Sequence, residues 1–372
     1  MATTITAGNA TNGAAISSDS TGILELKSGT GSGTTAVTVS TGQAVTFAQA
    51  ANLPNTFGFK NRIINGAMVI DQRNAGASVT AANGTYTLDR WVPALLGGGV
   101  FSVQRSTTAP AGFTNSLFLT VTTADSSLAS GDYYGIQQFI EGYNVADFAY
   151  GTSSAVPVTI SFWVRSSIAG TYCVWAGNSN AGKSYVGTYT INSTNTWEQK
   201  TITVSGDTAS VLATENSIGL RLWFTLGGGS SFTTTAGSWQ SGTYFQTSAQ
   251  TQWISTNGAN FYITGVQLEK GSTATSFDVR PYGTELQLAQ RYYSRQGIFG
   301  RGNIASHIAV PINVNMRTTP AVTTISSYTG DGAAYTVYTD AIATNNFDVK
   351  ITWTGGGSSS AYSAEFGASA EL

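Results

Sequence analysis

Along residues 156–165, Val158, Ile160, Phe162 and Val164 occupy one phase, while Thr159, Ser161, Trp163 and Arg165 occupy the other. A period of two is that of a strand with one face against a core. Gly219 to Leu226 divides in the same way, with Leu220, Leu222, Phe224 and Leu226 all apolar. The spacing predicts strands over both stretches. Phe162, Val164, Leu222 and Phe224 then face inward, and Trp163, Arg165, Arg221 and Trp223 face outward. Further strands are predicted at 62–72, 86–95, 100–106, 116–123, 133–140, 171–176, 185–191, 197–204 and 261–269. These strands, joined by turns of Gly, Asn, Ser and Thr without long helical patterns, predict an all-β chain with two antiparallel sheets packed as a sandwich.

The flanking regions read differently. Glu285 to Tyr293 has little β-branching and places Leu288 and Tyr292 four apart, which predicts a short helix. Beyond it, 304–314, 321–328, 334–338, 347–353 and 361–366 read as strands of a smaller C-terminal β-sandwich, with Gly355 to Ser360 as a connection. Residues 227–258 form a long link rich in Ser, Thr and Gln. Its aromatics Trp239, Tyr244, Phe245 and Trp253 seek burial, so it is expected to be ordered, with one or two short strands. At the other end, the runs Gly22 to Leu26 and Ala36 to Val39 alternate only briefly between Gly-rich turns. They offer too little apolar area to offset chain ordering, so this segment is expected to be disordered or to order only with other copies or a partner. The 372 residues exceed one ordinary core and divide into 1–59, 60–282 and 283–372.

Composition narrows the chemistry. Charged residues make up 10% of the chain, against a usual ~25%, and 43 residues are Gly. The surface is hydrated mainly by uncharged groups. With 17 basic and 19 acidic residues the net charge is -2, which lacks the basic footprint of a nucleic-acid binder. Cys173 is the only cysteine and reads as a buried small side chain, which excludes an intrachain disulfide and a cysteine-rich metal cluster. The single His307 excludes a two-histidine site. No apolar run approaches the ~20 residues of a membrane span, and the first residues lack the order of a signal peptide. Synthesis in a cytoplasm, with release by assembly or lysis and no membrane insertion, is the expectation.

The phrases Asn61-Arg62-Ile63-Ile64-Asn65-Gly66-Ala67-Met68 and Tyr86-Thr87-Leu88-Asp89-Arg90-Trp91 resemble the start of a family of tailed-bacteriophage fibre and virion-associated proteins. Ile160 to Ser166, Phe261 to Gly271 and Phe277 to Tyr293 continue the resemblance in order, so it spans about residues 60–293. Members of that family are similar to jelly-roll carbohydrate-binding modules and are commonly parts of trimeric fibres, spikes or capsid decorations. The resemblance implies a central jelly roll, a homotrimer, and a place in a virion assembled in the host cytoplasm. Ser18 to Gly22 and Thr35 to Val39 are similar to virion-attachment regions, which implies contact with tail or capsid proteins through residues 1–59. The family pattern brings no set of sugar-contacting residues with it.

Candidate binding residues therefore come from the chain itself. Trp163 and Trp223 facing outward can cover the apolar face of a sugar ring, and Arg165 and Arg221 can donate to its hydroxyls or to a carboxylate. The same residues equally suit packing against another subunit or the 227–258 link. Trp239, Tyr244, Phe245 and Trp253 form a second candidate surface, or else close the sandwich edge. Trp91, Trp175, Trp197 and Trp353 read as packing residues. The scattered carboxylates do not display the pair that glycoside hydrolysis needs; Asp89 beside Arg90 and Asp278 near Arg280 read as local structural contacts. Gly97 to Gly99 and Gly227 to Gly229 lack the following Gly-Lys-Ser/Thr of a phosphate loop. No catalytic residue and no cofactor is expected, and an acidic loop leaves a calcium role open. The expected work is noncovalent attachment to a bacterial surface polysaccharide. A decoration protein without a receptor, or a polysaccharide depolymerase, are the competing expectations.

Overall fold

In the computed structural model the chain forms two compact units, residues 1–56 and 57–372. The structure describes residues 59–301, 307–312, 314–329, 335–340, 342–353 and 361–372 and, before them, five strands. These are β1 (Thr3–Thr6), β2 (Ala15–Ser17), β3 (Leu24–Ser28), β4 (Thr34–Val39) and β5 (Val45–Phe47). They form one sheet in the order β2-β1-β3-β4-β5, antiparallel except where β1 meets β3. The short alternating runs of the first segment thus pair within one chain, where the sequence suggested disorder or ordering by association.

The larger unit is built from β6 (Val79–Thr80), β7 (Val92–Leu96), β8 (Val100–Ser106), β9 (Ser116–Thr123), β10 (Tyr133–Glu141) and β11 (Val158–Ser166). It continues through β12 (Gly170–Gly177), β13 (Lys183–Ile191), β14 (Glu198–Val204), β15 (Ile218–Gly228), β16 (Trp239–Ser241) and β17 (Asn260–Lys270). Two six-stranded antiparallel sheets result, ordered β16-β13-β12-β15-β10-β7 and β14-β11-β17-β9-β8-β6. Their facing sides enclose the main core, a jelly-roll-like sandwich. Phe162 from one sheet meets Tyr189 and Phe224 from the other, each at 5.0 Å and near edge-to-face. Phe162, Val164, Leu222 and Phe224 are all buried there, as their alternation requires.

A helix, α1 (Tyr282–Gln290), leads into β18 (Tyr293–Arg301), β19 (His307–Pro311), β20 (Ala321–Thr329), β21 (Tyr335–Asp340), β22 (Asn346–Trp353) and β23 (Ala361–Ser369). These make two three-stranded sheets, β18-β23-β20 and β19-β22-β21. A separate core with Val310, Phe347, Val349 and Phe366 lies among them. Strand β18 was not expected, because Gly297, Gly300 and the consecutive polar residues Ser294, Arg295 and Gln296 hide its pattern. The Gly355 to Ser360 connection lies outside the described residues.

Residues 62–72, expected as a strand, form turns, with Asn65 and Met68 at φ 59° and 58°. Side chains take the backbone groups that a ladder would have satisfied. Gln138 accepts from the Ile64 amide and donates to its carbonyl, both at 2.9 Å. Asn65 donates to the carbonyls of Ile70 and Asp89 at 2.8 and 3.0 Å and accepts from the Ile70 amide at 2.9 Å. The strand expected from residue 86 starts only at Val92, because Arg90 takes φ 70° and the Trp91 amide closes a turn on the Leu88 carbonyl at 2.8 Å.

The 61–66 turn docks where β17 carries a bulge. Ser161 pairs with Gln267 but Trp163 with Thr264, so β17 holds one extra residue there. The freed Val266 amide donates to the Gly66 carbonyl at 3.0 Å, and its carbonyl accepts from the Asn61 side chain at 3.0 Å. Gly66 is required at this approach, since a Cβ would collide with the Val266 carbonyl oxygen. The start of α1 completes the seam. Arg280 donates to the carbonyls of Asn61 and Ile63 and pairs with Glu285 at 3.2 Å, while Glu285 also accepts from the Asn65 amide. Arg280 and Asp278 form the expected local pair at 3.7 Å. Asp89 and Arg90 do not pair: Asp89 accepts from the Gln72 amide and side chain, whereas Arg90 donates to Glu371 and the Phe139 carbonyl.

Glu141, 1% exposed, accepts from Arg291 at 2.6 and 3.1 Å and from the Tyr292 hydroxyl at 2.5 Å. Burial alone would raise its pKa, but the hydrogen bonds from Arg291 and Tyr292 together with the Arg291 charge hold it below the ordinary 4.5. The folded state therefore binds fewer protons than the unfolded chain between the two values, and the stabilisation is present above about 4.5 and lost as pH falls through the folded value. Glu141→Gln is expected to lower unfolding stability at pH 7 by about 2–3 kcal/mol, less than for a fully buried pair because Arg291 is 35% exposed. In denaturant titrations the gap between variant and wild type narrows as the pH falls below about 4.5.

Candidate functional site

The outer face of the β14-β11-β17-β9-β8-β6 sheet carries a row of rings that crosses three strands. Arg165 stands opposite Tyr262, Tyr262 opposite Phe118, and Phe118 opposite Gln104. Phe118 and Tyr262 stack at 4.3 Å with planes 14° apart, a cross-strand aromatic pair in near-parallel contact. The Arg165 guanidinium lies 5.1 Å from the Tyr262 ring centre, within cation–π reach. Trp197, just before β14, meets Tyr262 edge-on at 6.0 Å. Trp163 is two residues before Arg165, opposite Gln199 and Thr264. Phe118, Trp163, Arg165, Trp197 and Tyr262 are all half-buried, with part of each side chain open to solvent.

The remaining outward positions nearby are uncharged, among them Ser102, Gln104, Thr120, Gln199 and Asn260. Glu198 lies in the opposite phase of β14 and is engaged by Lys200 at 2.6 Å and by the Asn192 side chain at 2.8 Å. Arg165 Nε donates to the Asn195 carbonyl at 2.9 Å, and among the described residues no carboxylate lies within ion-pair distance of the guanidinium. The far half of the same face is covered. Thr275 donates to Glu269 through its amide at 2.8 Å and its hydroxyl at 2.6 Å, and the Asp278 amide donates to Gln267 at 2.7 Å.

Arg221 and Trp223 lie on the outer face of the other sheet, so the structure does not bring the two sequence-predicted pairs together. Trp223 is 2% exposed, which removes it as a ligand contact. The 229–252 segment folds over this face, and Phe245 stacks on Trp223 at 4.3 Å with Trp175 edge-on to both. Gly135 allows the arrangement, since a Cβ there would collide with the Trp223 indole nitrogen. Arg221 is held between the rings of Phe139 and Trp175, at 5.1 and 5.2 Å, and donates to Gln137 at 3.0 Å. Burial pushes its pKa down.

Of the second candidate surface, Phe245 and Trp253 are taken up by packing, while Trp239 and Tyr244 are half-buried. Phe245 and Trp253 are buried, and Trp253 sits in the main core edge-on to Phe101 at 6.0 Å. Tyr244 packs against the Trp175–Trp223 cluster. Trp239 lies edge-on to Tyr150 and Tyr185 and donates to the Ser205 carbonyl at 2.7 Å. Period-two alternation assigns a side chain to an outer face but says nothing of what folds over that face. Phe118 and Tyr262 were missed because each reads as one more strand apolar residue; their signal was an aromatic in the outward phase. Trp197, expected as packing, touches Tyr262 while remaining half open, and the side chain of Trp353 lies outside the described residues.

Other concavities are already occupied by structure. A cavity of about 180 Å³ opens beside the 61–66 turn, lined by Asn61, Phe113, Phe277, Asp278, Arg280 and Glu285. Its polar groups are those that tie the turn to α1. Cys173 is buried, and its thiol is pushed up by burial. Among the described residues no group of three His, Cys, Asp or Glu side chains is placed to hold a metal ion, and no helix is long and apolar enough to cross a membrane.

No protein-family model and no curated protein sequence matches the chain. Among solved structures, the chain is similar to the enzymatically active domain of tailspike protein 4 from bacteriophage CBA120, at 13% identity and TM-score 0.32, over 57% of this chain and only 21% of the tailspike chain. It is also similar to a family 11 carbohydrate-binding module from a cellulosomal cellulase of Clostridium thermocellum, at 12% identity and TM-score 0.27, over 54% of this chain and 97% of the module. A C-terminal family 22 carbohydrate-binding module of the same organism is similar at 14% identity and TM-score 0.25, over 56% and 99%. All three likenesses are distant.

The contrast between the two faces is measurable. Trp223→Ala is expected to lower unfolding stability by about 3–5 kcal/mol, as for truncation of a large core ring. Trp163→Ala, at an open position, is expected to cost about 1 kcal/mol or less. Equilibrium denaturation of the two variants checks the ordering.

Proposed function

We propose that the chain is a virion fibre or spike protein that attaches noncovalently to a bacterial surface glycan, using the outer face of β9, β11, β14 and β17. The observation that carries the reading is the half-exposed row Phe118–Tyr262–Trp197 with Trp163 and Arg165 beside it, on a face otherwise lined by Ser, Thr, Gln and Asn. Rings held in place by stacking cover the apolar face of a sugar without losing rotamer freedom on binding. Neighbouring amides and hydroxyls suit the hydroxyls of the same sugar. The resemblance of residues 60–293 to phage fibre and virion-associated proteins supports the setting. In it, residues 1–59 contact tail or capsid proteins, and the working form is a homotrimer. Three linked copies raise the avidity of a shallow site by roughly 10² to 10⁴ when geometry allows simultaneous engagement.

Purified full-length protein is expected to bind host cells or their extracted surface polysaccharide. Tyr262→Ala combined with Trp197→Ala is expected to weaken retention at least tenfold, using ~1–3 kcal/mol per lost aromatic contact as the scale, with the thermal transition retained. Binding to virions without any host or polysaccharide binding would instead identify a decoration protein, and soluble sugar fragments would identify a depolymerase.

A further inference from the structure

We infer that the glycan recognised on this face is anionic, a polymer bearing carboxylates such as a polyuronate, and that Arg165 is the residue that selects it. The inference rests on the glycan reading above and adds the substrate class. Arg165 is a fixed cation with no carboxylate within ion-pair distance among the described residues. Its position is set from two sides, by the Tyr262 ring at 5.1 Å and by the Asn195 carbonyl, which accepts from Nε at 2.9 Å. Those contacts leave both terminal nitrogens without a hydrogen-bond partner among the described residues. The guanidinium fork matches a carboxylate in two parallel hydrogen bonds, and such charge-assisted bonds are stronger than bonds to neutral hydroxyls.

Several other cations of the sandwich do have a carboxylate partner. Arg62 is paired with Asp147 at 2.9 Å, Lys200 with Glu198 at 2.6 Å, and Arg280 with Glu285 at 3.2 Å. Arg221, the counterpart on the opposite sheet, is half-buried between two rings and donates to Gln137. Arg165 combines a defined pose, partial exposure and an unanswered charge. The carboxyl of a uronate projects from the edge of a pyranose ring, so a sugar resting against the Tyr262–Trp197 rings can present its carboxylate to the guanidinium beside them. The chain as a whole carries a net charge of -2, so general attraction to polyanions does not supply the affinity.

The test is affinity electrophoresis of the full-length protein in gels containing polygalacturonate, alginate, hyaluronate or polysialic acid, each compared with its carboxyl-reduced form. The expected result is retardation by at least one acidic polymer and at least tenfold weaker retardation by its reduced counterpart. Arg165→Gln is expected to weaken retention about tenfold to a hundredfold, the scale of a lost hydrogen bond to a charged group, with the thermal transition unchanged. Arg165→Lys, which keeps the charge and loses the fork, should recover only part of it. Raising salt from 0.1 to 1 M, where the screening length shortens from about 10 to about 3 Å, should weaken wild type more than Arg165→Gln. Equal retardation by acidic and reduced polymers, or an Arg165→Gln variant that binds like wild type, overturns the anionic assignment and leaves the glycan reading in place. Absence of binding to these polymers, with Tyr262→Ala/Trp197→Ala still binding neutral host glycan like wild type, overturns both.

Discussion

A charge withdrawn from water must be met by another charge or by several hydrogen bonds, and this chain holds only 17 basic and 19 acidic residues. Many of them meet along one seam. Arg280 and Glu285 tie the turn at 61–66 to α1, Glu141 receives Arg291 and Tyr292, and Glu371 receives Arg73 and Arg90. Arg90 is itself 1% exposed and stacked 3.6 Å from the Tyr292 ring. Glu371 and Arg280 each have two charged partners, so these contacts act as a set. The Glu371 pairs hold the last residues of the chain against the sandwich.

The two outer faces of the sandwich show what the remaining, mostly neutral, surface does. On one, Trp175, Trp223 and Phe245 close into a dry cluster under the 229–252 segment. On the other, Phe118, Tyr262 and Trp197 stay half open. Both hold stacked rings at 4.3 Å, so the chemistry of the pairs is alike. The difference lies in the chain that follows. A long connection after β15 reaches back over its own sheet, whereas the short connection after β17 covers only the end near Glu269.

Much of this was legible in the sequence, and the limits have physical causes. Alternation at 158–165 and 219–226 located both central strands and their inward residues, because a one-sided core enforces period two. It placed Trp163 and Trp223 outward with equal force, yet only a tertiary contact decides that Phe245 covers one of them. Residues 62–72 look like a strand because Ile63, Ile64, Met68 and Ile70 are apolar, but Asn65 offers its side chain in place of a ladder and turns the backbone to positive φ. Residues from the first and last of the motifs that carried the resemblance meet in the seam. Asn61, Gly66, Asp278, Arg280 and Glu285 meet across more than two hundred residues of sequence, which no local pattern could reveal. The ring row was hidden for the opposite reason, since an aromatic in a strand is unremarkable until its phase is compared with its neighbours'.

The bulge in β17 has a consequence for how one strand serves two masters. Phe261 and Ile263 point into the core before it, and Val266 and Leu268 do so after it. These residues fall in odd and even positions, so the extra residue at Gly265, with φ 60°, acts as a frame-shift in the strand's parity. Were Gly265 paired as an ordinary ladder residue, whichever half kept its inward residues would force the other to turn inside out, exchanging Tyr262 for Ile263 at the surface or Leu268 for Gln267 in the interior. The ring-bearing half and the anchoring half of β17 are thus written in different reading phases, and a single glycine is the comma between them.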